Sequence, residues 1–174
     1  MRRVAVTGLG VISPVGNDVK TFWESLVNGK NGIDFITKFD TTDFKAKLAG
    51  EVKDFDPSPY MDKSEVRRSD MFVRYAIAAA SQAVWESKIE GNIDPERFGV
   101  YFGSGIGGFD TMTAEHDNYL AKGPSRVSPH FITKMISNMG AGNIAIKFNA
   151  KGPCLSFTTA CATGSTALGE AYRA

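Results

Sequence analysis

Short apolar, strand-like runs alternate with segments of helical periodicity along this chain, and no other feature constrains its fold as strongly. Strands are predicted at residues 4–7, 47–52, 98–102 and 153–159. Helices are predicted at residues 18–28, 69–87, 110–121 and 132–148, with a short charged helix after the turn at 56–59. Strands that alternate with helices predict an α/β architecture with a layered sheet.

Two of the predicted helices carry an apolar stripe at helical spacing. The first helix, which we expect Asn17 to cap and Gly29 to follow, has the stripe Val19, Phe22, Trp23, Leu26 and Val27. The helix at 69–87 has the stripe Phe72, Val73, Ala76, Ile77, Ala80, Ala83 and Val84. The alanines of the second stripe favour close packing in an interior.

The balance of basic and acidic residues limits the classes of molecule that the chain is expected to bind. The chain has 20 basic and 19 acidic residues, so its net charge points to neither nucleic acid nor a membrane surface. No apolar run approaches the roughly 18 residues of a membrane span. The first residues lead directly into a strand-like run, with no signal-peptide pattern. The lack of a signal-peptide pattern, together with only two cysteines, predicts a reducing, cytoplasmic location. The length and composition predict a globular chain of one domain or part of one.

The cysteines and histidines give no pattern for a disulfide or a metal site. Cys154 and Cys161 are separated by an extended segment, which would place their Cα atoms roughly 23 Å apart, far beyond the ~7 Å limit for a disulfide. His116 and His130 are the only histidines, and neither stands at metal-ligand spacing from a cysteine. We therefore expect no disulfide, no metal and no cofactor.

The glycine cluster at 103–108 matches G-x-G-x-x-G after a predicted strand, as a dinucleotide-binding loop would. Such a loop also needs a second strand that ends in an acidic residue about 20 residues on, and here a loop at 122–129 follows instead. The cluster thus favours a turn at which the backbone passes close to another segment. Nucleotide binding is not expected.

Cys161 lies where the last strand gives way to small residues that favour a helix. Unpaired N–H groups and the helix dipole at such a junction favour the thiolate, and hence a nucleophile. The alternative is a small buried core residue, which is common for free cysteine and which suits Cys154, in mid-strand. The residues alone leave both interpretations of Cys161 open.

A mildly basic segment precedes the long helix. Its basic residues are Lys63, Arg67, Arg68 and Arg74, with Glu65 and Asp70 between them. Such a segment is either a solvated helix face or a docking surface.

Six short motifs follow one another over essentially the whole chain. They are residues 2–10 (RRVAVTGLG), 13–16 (SPVG), 102–108 (FGSGIGG), 138–142 (NMGAG), 152–153 (GP) and 159–164 (TACATG). In this order they resemble the β-ketoacyl-[acyl carrier protein] synthases, most closely the elongating type II class (KAS II). Polyketide synthase modules are similar, but usually have serines where Ala162 and Thr163 stand.

The resemblance implies a thiolase-like fold of two pseudo-repeated α/β halves in αβαβα layers. Residues 1–174 would be the first half, because the sequence ends at Ala174 within the helix predicted after Cys161. The resemblance also implies a homodimer, in which the strand at 155–160 pairs with its two-fold mate.

The resemblance further implies a reaction, fatty-acid elongation by decarboxylating condensation. Cys161 would take an acyl chain from acyl carrier protein, and its backbone N–H would donate to the thioester oxyanion. In the family, the second oxyanion donor, two histidines and a lysine lie in the C-terminal half. His116 and His130 do not match those histidines, so we expect residues 1–174 alone to be inactive.

Other roles are implied at matching positions. Ile106 would gate the acyl pocket, Phe131 would reach toward the partner's pocket, and the basic residues Lys63, Arg67 and Arg68 would receive the acidic carrier protein. Two alternatives stay open: a non-catalytic partner subunit that shapes the acyl pocket, and a ketosynthase domain of a polyketide synthase. In non-catalytic partners another residue replaces the nucleophilic cysteine, whereas this chain has Cys161. Selective alkylation of Cys161 by a thiol reagent, with Cys154 left unmodified, would favour the enzyme.

Overall fold

The computed structural model describes residues 3–174, which form a mixed α/β structure. Its helices are α1 (Val19–Val27), α2 (Lys63–Arg67), α3 (Met71–Ser87), α4 (Phe109–Lys122), α5 (Phe131–Met135), α6 (Met139–Lys147) and α7 (Thr163–Arg173). Its strands are β1 (Ile33–Phe35), β2 (Leu48–Gly50), β3 (Val100–Gly103) and β4 (Cys154–Phe157). Short 3₁₀ turns cover Pro95–Arg97, Pro124–Arg126 and Ala160–Ala162. The predicted α/β class is confirmed.

The strands form two separate pairs. β1 and β2 are antiparallel, with Ile33 opposite Gly50. β3 and β4 are parallel, with Val100 opposite Cys154 and Gly103 opposite Phe157, and the chain between them passes through α4, α5 and α6. Because parallel strands end at the same edge, the glycine loop after β3 and the cysteine turn after β4 emerge side by side.

The core is built around α3. Val73, Ile77 and Val84 of this helix pack with residues of β3, of α6 and its C-terminal cap, and of the segment before α2, namely Val100, Ala141, Ile144, Phe148 and Met61. The predicted stripe therefore faces the core as expected. A Cβ on Gly8 would overlap the carbonyl oxygen of Ala83, and one on Gly10 that of Ala79, so residues 8–10 lie directly on the alanine-rich part of α3.

The predicted strand at residues 4–7 is wrong. No strand of the described chain pairs with this segment, and Val4 and Val6 are 56% and 78% exposed. The backbone that follows bonds to side chains of α3 instead: the Leu9 N–H donates to the Glu86 carboxylate and the Val11 N–H to the Gln82 side chain. Residues 9 and 11 thus contact a helix, whereas residues 4–7 have no neighbouring strand among the described residues and stay exposed.

The helical region predicted at 132–148 is confirmed, and the structure divides it into two helices, α5 and α6. The chain turns to an extended conformation at Ile136. The carbonyl of Met135 accepts the Gly108 N–H at 2.8 Å, so the end of α5 bonds to the glycine loop. Apolar periodicity continues through 132–148 and gives no sign of this long-range contact.

Details of α1 differ from the prediction. Asp18, not Asn17, is the N-cap, because its carboxylate accepts the Thr21 N–H at 2.8 Å while the Asn17 amide donates to the Lys53 carbonyl. Gly29 follows the helix as predicted and has a φ of 65°. Trp23 and Val27 of the predicted stripe are exposed.

Candidate active site

Cys161 lies in the 3₁₀ turn Ala160–Ala162, between the end of β4 at Phe157 and the start of α7 at Thr163. The predicted junction between a strand and a helix is therefore present. The Cys161 residue is exposed, so it is not the buried core residue that the sequence left open.

The turn is held in a strained conformation. Ala160, immediately before Cys161, has a φ of 49°, a left-handed conformation that costs on the order of 1 kcal/mol for a residue with a Cβ. Thr163, only 5% exposed, secures it: its hydroxyl donates to the Ala160 carbonyl and accepts the Thr159 N–H, both at 2.8 Å. A Cβ on Gly103 of β3 would overlap the Thr163 methyl group, so this glycine makes the close packing possible.

The backbone of the turn leaves a donor available beside the thiol. The Ala162 N–H bonds to the Thr159 carbonyl and the Thr163 N–H to the Ala160 carbonyl. Among the described residues, the Cys161 N–H has no hydrogen-bond acceptor. This N–H lies at the N-terminal end of the eleven-residue α7, where the helix dipole favours negative charge.

The glycine loop after β3 adjoins the cysteine turn. The Thr158 hydroxyl donates to the Ser104 carbonyl at 3.1 Å, and an ideal Cβ on Gly105 would lie 3.7 Å from the Ala160 carbonyl oxygen. Gly107 has a φ of 78°, and a Cβ on it would overlap the Met135 carbonyl oxygen. The prediction that these glycines allow close backbone approach is confirmed.

Ile106, at 69% exposure, lines an apolar cavity of about 320 Å³. The other lining residues are Gly108, Phe109, Met112, Met135, Ile136 and Ser137. The Ser137 hydroxyl lies 3.4 Å from that of Thr158, three residues before Cys161. The cavity therefore adjoins the loop that carries the cysteine.

Phe131 lines a second, larger cavity of about 480 Å³. Its other lining residues are Met112, Thr113, Glu115, His116, Tyr119 and Val127. Met112 borders both cavities, so Ile106 and Phe131 line neighbouring spaces on one side of α4.

The basic residues separate into two groups. Lys63, Arg67 and Arg68 are exposed on α2 and its C-terminal cap. Arg74, in contrast, donates to the backbone carbonyls of Val66 and Ser69 and so joins α3 to the end of α2.

Asp62 offsets part of the positive charge at α2. Backbone N–H groups of Glu65 and Ser64, with Arg68 and Arg67 nearby, lower the pKa of the Asp62 carboxyl below its usual value. It is therefore charged at neutral pH, beside Glu65, which completes the capping box of this helix.

Cys154 is exposed, which contradicts the expectation of a buried core cysteine. Position 154 is the first residue of β4, and within residues 3–174 this strand has β3 as its one neighbour. Because both thiols are accessible in the described chain, accessibility alone does not make alkylation selective for Cys161. Within residues 3–174, neither His116 nor His130 is hydrogen-bonded to Cys161.

Two residues that the sequence analysis did not single out belong to this region. Thr163 supports the cysteine turn, and Asp70 joins α3 to α4 through Thr111. Asp70 precedes the apolar stripe of α3 as an N-cap residue would, but its second contact lies 41 residues away.

Comparison with known proteins gives one consistent family. The family model described as "Beta-ketoacyl synthase, N-terminal domain" matches residues 1–174. The chain is 47% identical over 173 residues to 3-oxoacyl-[acyl-carrier-protein] synthase 2 of Staphylococcus aureus (strain COL), which covers 99% of this chain and 42% of that protein. It is also 44% identical over 173 residues to the protein of the same name from Synechocystis (strain PCC 6803). That alignment again covers 99% of this chain and 42% of the relative.

A solved structure, the ishigamide ketosynthase/chain length factor, superimposes with a TM-score of 0.83 at 29% identity, over 97% of this chain and 45% of that chain. The chain thus has the thiolase-like fold of the ketosynthases, and it spans about two fifths of the length of the relatives it matches. None of the helices within residues 3–174 is both long and apolar enough to cross a membrane.

Proposed function

Residues 1–174 belong to the β-ketoacyl synthase family as its N-terminal domain, and on this basis we propose that they form the acyl-accepting half of a 3-oxoacyl-[acyl carrier protein] synthase. The observation that carries the proposal is the exposed Cys161, on a strained turn at the start of α7 and beside an apolar cavity. The names of the relatives supply the substrate class, thioesters of acyl carrier protein.

In the proposed reaction, the Cys161 thiolate attacks the carbonyl carbon of an acyl-carrier thioester. The oxygen becomes an oxyanion, to which the Cys161 N–H donates, and the carrier thiolate leaves and takes up a proton. A malonyl-carrier then loses carbon dioxide, and its carbanion attacks the acyl-cysteine. Cys161 leaves as a thiolate, and the acyl chain is two carbons longer.

The two cavities offer a place for the acyl chain. Both are lined mainly by apolar side chains, and the one that Ile106 lines adjoins the loop before Cys161. We assign Ile106 to the gate of the acyl site, and we assign to Phe131 a position that reaches toward the partner's pocket.

We also propose a cytoplasmic homodimer. β4 pairs on one edge with β3, and no strand of the described chain occupies its other edge. Leu155 of this strand is exposed, and an apolar free edge is an aggregation hazard unless another strand covers it. Pairing of residues 155–160 with their two-fold mate would remove that hazard.

The test is acyl transfer to the full-length protein from an acyl carrier protein loaded with a saturated acyl chain. We expect the protein to gain the mass of one acyl group, located by peptide mass spectrometry on the peptide that contains Cys161. No adduct on Cys161 would contradict the enzyme and favour the non-catalytic partner subunit. An adduct formed only with polyketide intermediates would favour the polyketide alternative.

Docking of the carrier protein gives a second prediction. The double variant Lys63→Glu/Arg67→Glu should raise KM for acyl-carrier thioesters about tenfold at low salt, since it replaces attraction of an acidic partner by repulsion. KM for an acyl-pantetheine, which lacks the carrier protein, should not change. Charge reversal of Lys20 and Lys45, both exposed on other segments, is the matched control. An equal rise in KM for both substrates would contradict docking at α2.

A further inference from the structure

Asp70 is a buried carboxylate that caps two helices. It is 6% exposed, and as the N-cap of α3 it accepts the Phe72 N–H at 3.3 Å. Its second oxygen accepts both the backbone N–H of Thr111, at 2.9 Å, and the Thr111 hydroxyl, at 2.5 Å. The pair joins the start of α3 to the first turn of α4.

α4 depends on this contact, because it has no cap of its own. Its N-cap residue is Gly108, which offers no side chain, so an N–H of its first turn is satisfied from another helix. An ideal Cβ on Gly108 would lie 3.0 Å from the Asp70 carboxylate. The glycine therefore also leaves room for the carboxylate.

The first turn of α4 is a wall of the cavity that Ile106 lines. Phe109 and Met112 belong to this turn and face the cavity, and Thr111 stands between them on the side of Asp70. Asp70 also follows Arg68, the cap of α2, by two residues. One carboxylate thus fixes the cavity wall relative to the basic helix.

We propose that Asp70 is a positioning residue that sets which acyl-chain lengths the cavity accepts. Through its bonds to Thr111, it holds the neighbouring Phe109 and Met112 at a fixed depth in the cavity. The inference rests on the proposed function, because it assigns the cavity to the acyl chain. Asp70 itself touches neither the thiol nor the acyl chain.

The test compares Asp70→Ser and Thr111→Val in the full-length protein. Serine keeps the cap of α3 but is too short to reach Thr111, and valine removes the hydroxyl while keeping the N–H. We expect Asp70→Ser to change the ratio of kcat/KM between the longest and the shortest accepted acyl-carrier at least fivefold, with the shortest substrate affected less than twofold. Thr111→Val should change the ratio in the same direction by a smaller factor, and the double variant no more than Asp70→Ser.

Asp18→Ala is the control, because it removes the cap of α1, which borders neither cavity. It should lower Tm and leave the ratio unchanged. An equal loss of activity at every chain length in Asp70→Ser would overturn the inference and leave a structural role only.

Hydrogen exchange provides a readout that does not need activity. The amides of Thr111 and Met112 should exchange at least tenfold faster in Asp70→Ser than in the unmodified protein, and unchanged exchange would overturn the anchoring of α4. Absence of acyl transfer in the unmodified protein would overturn the proposed function and, with it, the assignment of chain length to Asp70.

Discussion

Replacement of Cys161 by serine in the full-length protein is expected to lower condensation by a factor on the order of 10³ or more. An alcohol is a weak nucleophile unless a base takes its proton as it attacks. A thiol needs less help, because it is intrinsically a far better nucleophile than an alcohol and loses its proton more readily. Serine is nearly isosteric, so the turn should keep its shape.

Cys154→Ser is the matched control, with the same chemical change at another exposed cysteine. We expect it to retain activity and to acquire one acyl group per chain, while Cys161→Ser acquires none. The measurement is product formation together with intact mass after exposure to acyl-carrier. Retained condensation in Cys161→Ser would refute the nucleophile, and loss in both variants would point to a structural effect.

The sequence predicted this junction well because its signals are local. A strand-like run, a proline before it and small residues after it all lie within about fifteen positions of Cys161. The same holds for α3, whose stripe was predicted from 3.6-residue periodicity and faces the core.

What the sequence did not predict depends on contacts between distant segments. The break between α5 and α6 follows from the bond between Gly108 and Met135, 27 positions apart in the numbering, and the cap of α4 comes from Asp70. Residues 4–7 have strand composition but no partner strand within the described residues, and they are exposed. Exposure of Cys154 was missed because burial depends on which strand edge is covered.

The packing of Gly103 against Thr163, which holds the Cys161 turn, can be tested directly by substitution of Gly103. Gly103→Ala should destabilise the protein by about 1–3 kcal/mol, because the new methyl group would overlap the methyl of the buried Thr163. Displacement of Thr163 would also loosen the bonds to Thr159 and Ala160, so acyl transfer to Cys161 should fall by up to ~10²-fold. Denaturant unfolding and the acylation rate measure the two effects.

A second substitution, at Thr163, shows whether the effects of Gly103→Ala come from steric overlap. Thr163→Ser removes the methyl group and keeps the hydroxyl that bonds to Thr159 and Ala160, so Gly103→Ala/Thr163→Ser should recover much of the loss. Recovery should be partial, because the new methyl would still lie 3.1 Å from the Thr163 carbonyl oxygen and 3.3 Å from that of Phe157.

Gly164→Ala is the control beside it, with no atom within 4 Å of the added Cβ. It should leave stability unchanged or raise it by about 0.5–1 kcal/mol, because alanine favours helix. If Gly103→Ala were as stable as Gly164→Ala, or if Thr163→Ser gave no recovery, the packing of β3 against Thr163 would not be what holds the cysteine turn. The expected pattern, a loss at Gly103 that the smaller side chain at 163 relieves, would instead make this contact the physical basis of the strained Ala160 and the exposed Cys161.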